Sequence, residues 1–219
     1  MFNLDLIELP TLIRHDGESR YYETPTGEKY PSVTTVLDKT SDKTALHAWR
    51  KRVGEEEANR VSTRATRRGT AVHTLCEKFV LNESIDLSEE MPFNVIMFKQ
   101  LERFLSKNVN NIRGSESSLF SHKLKIAGSC DLIANYNNHA AIIDFKTSTK
   151  PKKHEWIENY FLQCAMYSYM FWEMTQLYHP TIVIAIALEE DSGPQIFVDN
   201  VNNWIDKARD RCSRYHAMI

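Results

Sequence analysis

The sequence predicts one domain of the α/β or α+β class, and three observations carry that expectation. At 219 residues and 42% hydrophobic content the chain is of single-domain length and can bury a sizeable core. Its hydrophobic period changes along its length, from helical spacing before residue 106 to strand-like alternation after residue 119, and later back to helix. No internal repeat, low-complexity tract or linker divides it. The order expected is helices, three strands, helix, strand, helix. Within a single 1–219 unit, this gives an N-terminal hairpin extension (1–40), a helical part (41–110), a core (115–200) and a C-terminal helix (200–219).

Element by element, residues 20–37 read as two short extended runs around the turn formers Thr24, Pro25, Thr26 and Gly27, with Pro31 disfavouring helix at Tyr30. Residues 42–68 read as a charged helix on which Arg60, Arg64, Arg67 and Arg68 fall on one face. After Gly69 a second helix is marked by Val72, Leu75, Cys76, Phe79 and Val80, stopping near Asn82. An acidic loop and an amphipathic helix over 95–105 precede the breakers at 108–114. Alternation of Phe120, His122, Leu124 and Ile126 with polar residues reads as a half-buried strand, followed by strands over 130–136 and 140–145. Residues 155–178 form a helix apolar nearly all round, 181–188 a β-branched central strand, and Val201, Trp204, Ile205 and Ala208 one face of a last helix.

Charge and cysteine content narrow the function classes. With 27 Lys and Arg against 29 Asp and Glu the formal charge is -2, so no global basic field exists and any polyanion must be met by local patches. The arginine stripe lies in one such patch, since residues 50–68 hold seven basic residues against three glutamates; a solvated helix face is the alternative reading. Cys76, Cys130, Cys164 and Cys212 lack the paired spacing of a zinc or iron-sulfur site and are expected as reduced, buried thiols. No apolar stretch is long enough for a membrane span, and no secretory or transit pattern is read, so a soluble cytoplasmic protein without a membrane partner is expected.

The sharpest chemical signal is a pair of carboxylates. Asn137-Asn138 between strand-like runs suits a two-residue hairpin turn, which would set Leu132 opposite Ile143 and Asp131 opposite Asp144. Like charges facing across strands destabilise a sheet unless a cation offsets them. Lys146, two residues beyond Asp144, returns to the same face. Two carboxylates and an ammonium suit phosphodiester hydrolysis, in which oxygen ligands hold Mg²⁺ or Mn²⁺ and the lysine stabilises developing charge. An ordinary Asp-Lys salt bridge is the alternative.

Gly128-Ser-Cys-Asp131 followed by Ile143-Asp144-Phe145-Lys146-Thr147 resembles the core motif of PD-(D/E)XK nucleases. The RecB-like branch is the most similar: Gly69-Thr-Ala-Val-His73 matches its upstream G-x-x-x-H, and Gln163-Cys-Ala-Met-Tyr167 its later Q-x-x-x-Y. Tyr30-Pro-Ser-Val-Thr-Thr-Val-Leu37 and residues 49–68 look like the mitochondrial genome maintenance exonuclease group and its phage relatives. The resemblance implies a restriction-endonuclease-like core with a central mixed sheet flanked by helices. It implies His73, Asp131, Asp144 and the Phe145 carbonyl as metal ligands, and Lys146, Gln163 and Tyr167 as catalytic residues.

On the residues alone, His73 could be an ordinary helical histidine and Tyr167 ordinary core. Glu77, one turn after His73, could orient it or sit in solvent, and Glu116 is an acid that related nucleases sometimes place near the site. Ser32, Thr34 and Thr35, with Arg60, Arg64, Arg67 and Arg68, are candidate phosphate contacts. Some relatives carry four cysteines around an iron-sulfur cluster; the scattered cysteines here predict none.

The function expected is Mg²⁺- or Mn²⁺-dependent hydrolysis of DNA, and the resemblance implies an exonuclease acting on single strands with a free end, in replication, repair or recombination of a phage or bacterial genome. A structure-specific or restriction-type endonuclease and an inactive nucleic-acid-binding subunit are the competing readings. Oligomeric state is not legible.

Overall fold

A computed structural model describes residues 1–219. The predicted N-terminal hairpin forms the last two strands of a small antiparallel sheet of three-residue strands, β1 (Ile13–His15), β2 (Tyr21–Glu23) and β3 (Lys29–Pro31). Its β2–β3 turn closes where expected, with Gly27 at φ 90 and its amide donating to Thr24 O at 2.9 Å. The extended reading does not continue to Leu37. Ser32 accepts the Thr35 amide at 3.0 Å and caps helix α1 (Val33–Thr40), which buries Val33, Val36 and Leu37. A local serine cap outweighs the β-branched propensity of Val33, Thr34, Thr35 and Val36.

Two helices follow, but the boundary differs from the sequence reading. Helix α2 (Thr44–Val53) ends at Gly54, and α3 (Glu55–Val80) runs unbroken through Gly69. Gly54 sits at φ 88, ψ 152, a region that residues with a Cβ rarely reach, so the chain turns there. Gly69 keeps helical geometry; an added Cβ would meet only Thr147 at 3.9 Å, an ordinary contact. Helix α4 (Pro92–Asn108) has proline in its first turn, where the missing N–H costs nothing.

The main sheet has five strands in the order β4 (Val109–Ser121), β5 (Ile126–Tyr136), β6 (His139–Ser148), β7 (Thr181–Leu188) and β8 (Gln195–Asn200). Only β6 and β7 are parallel, joined through helix α5 (Glu158–Thr175); helix α6 (Ile205–His216) closes the chain. This is the mixed sheet flanked by helices that was expected. The first core strand is misplaced in the sequence reading: it spans 109–121, and residues 122–125 form the turn into β5. Positive φ at Asn111 and Glu116 lets the supposed breakers run inside a strand, with a register shift between Asn110 and Gly114. Edge strand β8 is additional, and the last helix starts at Ile205 because Val201–Asn203 is a single 3₁₀ turn.

Both faces of the sheet are covered. Ile182, Ile184, Ile186 and Leu188 pack with α1, α5 and α6, while Val183, Ala185 and Ala187 pack with α3 and α4. Burial on both faces is why β7 reads as an unbroken apolar run. Ile133 and Ile142 join the α5 side, and residues of the same parity, Asp131, Asp144 and Lys146, are thereby directed to that layer. No helix is long and apolar enough to cross a membrane.

Candidate active site

The β5–β6 hairpin closes with Asn137 and Asn138 at φ 46 and 66, the left-handed pair a two-residue turn needs. Pairing runs from Tyr136↔His139 to Leu132↔Ile143, the expected register. The ladder ends there: the next amide, of Phe145, donates to the Asp131 carboxylate at 2.8 Å. Asp131 is 8% and Asp144 1% exposed, so both acids are taken out of water.

Helix α3 and strand β4 complete the cluster. His73 Nδ1 lies 3.6 Å from Asp131 Oδ2 and 3.7 Å from Glu116 Oε1, while Nε2 is 2.7 Å from the Phe145 carbonyl. That carbonyl orients the ring and leaves Nδ1 facing the acids. Glu116 is flanked by the pairs Ser115↔Leu132 and Ser117↔Cys130, so it stands across from Asp131; it holds φ 46, strained for a residue with a side chain. Ser129 donates to its carboxylate at 2.9 Å. His73, Glu116 and Asp131 each offer an atom within 4.8 Å of the others. Asp144 touches the Lys146 ammonium, and its Oδ1 is buried without a hydrogen-bond partner.

Protonation follows from this crowding. Burial alone would lower His73, but Asp131 and Glu116 outweigh it and hold the imidazole up at about 9. Burial raises Asp131, opposed by His73 and reinforced by Asp144. Glu116 is held below its usual range because His73 and Ser129 overcome its burial. Lys146 is raised, as Asp144 and Asp131 overcome the cost of its burial. Three acids therefore collect positive charge, and at neutral pH the His73 proton supplies part of it. A buried oxygen without a partner beside an imidazole and two further carboxylates is a donor set that fits a divalent cation.

His73, Glu116, Asp131 and Lys146, but not Asp144, which is 1% exposed, line a cavity of about 200 Å³. Ser32 and Thr34 reach it from the start of α1, and Gln163 and Tyr167 from α5. Gln163 donates to the Tyr167 hydroxyl at 3.3 Å. Tyr167 comes close because position 128 is glycine: a Cβ there would lie 3.0 Å from its ring. Tyr160 stands on the same side, its ring centroid 5.0 Å from Lys146 Nζ. Three residues from the N-terminal sheet were not anticipated, Arg14, Arg20 and Tyr22. Arg14 and Tyr22 pair across three-residue strands and Arg20 immediately precedes β2, segments too short for a period to mark them. Ser129 was legible in principle, since two residues before Asp131 in a strand is the same face.

Other expected residues lie elsewhere. Thr35 is buried and its hydroxyl donates to Arg20 O at 3.1 Å, so it supports the cavity wall without lining it. Arg60, Arg64, Arg67 and Arg68 border a separate groove of about 590 Å³. Arg68 is only 9% exposed and is committed to Glu189 and to Thr147 Oγ1, which removes it from the solvent-facing stripe. Glu77 is half-buried and does not line the cavity. All four cysteines are free and buried.

Comparison with known proteins fits this arrangement. A family model described as the PD-(D/E)XK nuclease superfamily matches residues 19–212. The chain is 28% identical over 131 residues to mitochondrial genome maintenance exonuclease 1 of Homo sapiens, covering 56% of this chain and 38% of that protein. The Mus musculus protein of the same name is 27% identical over 130 residues, with the same coverage. The chain thus matches well under half the length of these relatives.

Proposed function

The chain belongs to the PD-(D/E)XK nuclease superfamily, and from that premise we propose that it is a metal-dependent deoxyribonuclease that removes nucleotides from single-stranded DNA ends. The observation that carries the reading is the convergence of His73, Glu116 and Asp131 within 4.8 Å beside the buried, unpartnered Asp144 Oδ1 and the Lys146 ammonium. His73 Nδ1, Glu116, Asp131 and Asp144 would hold the ion. When bound, a divalent cation supplies Lewis-acid polarisation of a phosphate oxygen and lowers the pKa of water. Mg²⁺ suits the three carboxylates, and Mn²⁺ accepts the imidazole more readily.

The protein's own groups have separable tasks. Lys146, kept charged by Asp144, places a fixed ammonium where charge grows on the phosphate. Arg14 and Arg20 line the same cavity as the first turn of α1, whose free amides near Ser32 and Thr34 favour an anion. Tyr167, Gln163 and Tyr22 wall the cavity and exclude bulk water. A space of about 200 Å³ walled partly by the N-terminal sheet suits one strand better than a closed duplex, which supports the single-strand preference. Action on DNA ends draws on the names of the two mammalian relatives, which are genome maintenance exonucleases.

The test is digestion by the full chain with Mg²⁺, Mn²⁺ or chelator, comparing 5′- and 3′-labelled linear single strands, duplex, and closed single-stranded circles. Metal-dependent shortening of linear single strands with circles left intact is expected. Cleavage of circles would shift the reading to an endonuclease, and metal-independent cleavage would remove the proposed centre.

A further inference from the structure

Helix α3 has two working flanks. His73 faces the catalytic cavity, whereas Arg64, nine residues earlier, lies about half a turn away in azimuth and faces the opposite side. On that second side the groove between α3 and the start of α4 has a volume of about 590 Å³, against about 200 Å³ for the cavity. Its chemistry is basic and apolar together.

Met91 is 64% and Phe93 46% exposed, and both line the groove. The Arg64 guanidinium lies over the Phe93 ring, 5.7 Å from its centroid. The single acid of the lining, Glu189, is held closely by Arg68, and Arg64 reaches the same oxygen only at 4.0 Å, a distance that leaves it free to turn to another anion. Arg67 is exposed, and Arg60 is paired only to Glu57 three residues away, an exposed pair of little worth. Arg60, Arg64 and Arg67 are thus cations that a polyanion can recruit.

Exposed guanidinium groups around an exposed ring match an unpaired nucleic-acid strand, whose phosphates meet the arginines while a base stacks on the aromatic. A duplex keeps its bases stacked inside and offers the ring nothing, and an acidic protein surface would use the arginines alone. We propose that the α3–α4 groove is a second binding site for an unpaired stretch of the strand, away from the scissile bond, with Phe93 as base platform and Arg60, Arg64 and Arg67 as phosphate holders. This deepens the nuclease reading and rests on it.

The experiment measures KM and kcat of the full chain on a trinucleotide and on a long unpaired strand, for the wild type, Phe93→Ala, Phe93→Tyr and Arg67→Ala, together with fluorescence-anisotropy binding of the long strand and of a duplex. Stacking is worth about 1–3 kcal/mol per base, so Phe93→Ala should raise the long-strand to trinucleotide KM ratio roughly five- to hundredfold, and Phe93→Tyr should restore it. Duplex binding should be insensitive to Phe93, and Arg67→Ala should reduce the salt slope by about one phosphate. An unchanged ratio in Phe93→Ala overturns the proposal, as does an effect of Arg67→Ala without one of Phe93→Ala. If the wild type cleaves no strand of any length the nuclease reading fails by itself, while long-strand binding that depends on Phe93 still supports the groove.

Discussion

The amide of Phe145 donates to the Asp131 carboxylate at 2.8 Å, at the position where the β5–β6 ladder would otherwise continue backbone to backbone. One carboxylate oxygen of Asp131 is therefore spent on holding the hairpin, and the acid has a structural task besides any ligand role.

Substitution at Asp131 separates the two tasks. Asp131→Asn keeps an acceptor for the Phe145 amide and removes a charge near Asp144, so the metal-free variant should melt at or above the wild type. Asp131→Ala orphans that amide and should cost about 1–3 kcal/mol. Both should lose most of the melting-temperature rise produced by Mn²⁺, which in the wild type reflects a native-state stabilisation of about 2.7 kcal/mol at 100 times Kd. Equal metal-induced rises in the wild type and Asp131→Asn would show that Asp131 is not a ligand.

Cleavage should depend on the Asp144-Lys146 pair far more than binding does. Asp144→Asn and Lys146→Ala are each expected to slow turnover at least about a hundredfold, the scale of losing one group that stabilises developing charge. Long-strand affinity should change little, because the arginine groove lies apart from this pair. Near-wild-type rates in both variants would place the chemistry elsewhere.

His73 gives a pH signature of determined sign. Its pKa in the fold, about 9, is raised from the ordinary 6.5. The stabilisation from the proton is thus fully present below pH 6.5 and is lost as pH rises through 9, at no more than about 1.4 kcal/mol per pH unit. Metal-free protein should lose stability across that window. A cation competes with the proton, so the metal-induced gain should grow over the same window. Thermal melts of wild type and His73→Gln between pH 6 and 9.5 check this; a wild-type gain that shrinks with rising pH would sink it.

Arg68 should behave as a structural residue. Removing one partner of its mostly buried pair with Glu189 is expected to cost roughly 2–3 kcal/mol, somewhat less than for a fully buried pair. In Arg68→Ala the salt dependence of DNA binding should stay as in the wild type, in contrast to Arg67→Ala. A flattened salt slope with unchanged denaturant stability would return Arg68 to the phosphate contacts.

Legibility followed the range of the interactions. Asn137-Asn138 sets a local turn, so the hairpin register and the shared face of Asp144 and Lys146 could be read directly. Helix α1 was missed because its cap, a single Ser32 hydroxyl, competes with a run of β-branched residues. Strand β4 was misplaced because Asn111 and Glu116 adopt left-handed geometry inside it, which the polar pattern presents as a loop. Arg14 and Arg20 reach the cavity only through the tertiary seat of the small N-terminal sheet, which leaves no mark in neighbouring residues. Arg68 shares the azimuth of a surface stripe but lies where α3 crosses the end of β6, so Thr147 and Glu189 claim it.

The contrast between the antiparallel β5–β6 pair and the parallel β6–β7 pair has a consequence for the order of assembly. A two-residue turn lets β5 and β6 zip locally, on the microsecond scale of hairpins, whereas β7 must wait for the whole α5 crossover and closes a far longer loop. Asp131 and Asp144 are therefore brought together by the most local tertiary element of the core. On a growing chain the two aspartates can meet as soon as residue 148 has emerged, before α5 has followed it out to bury them.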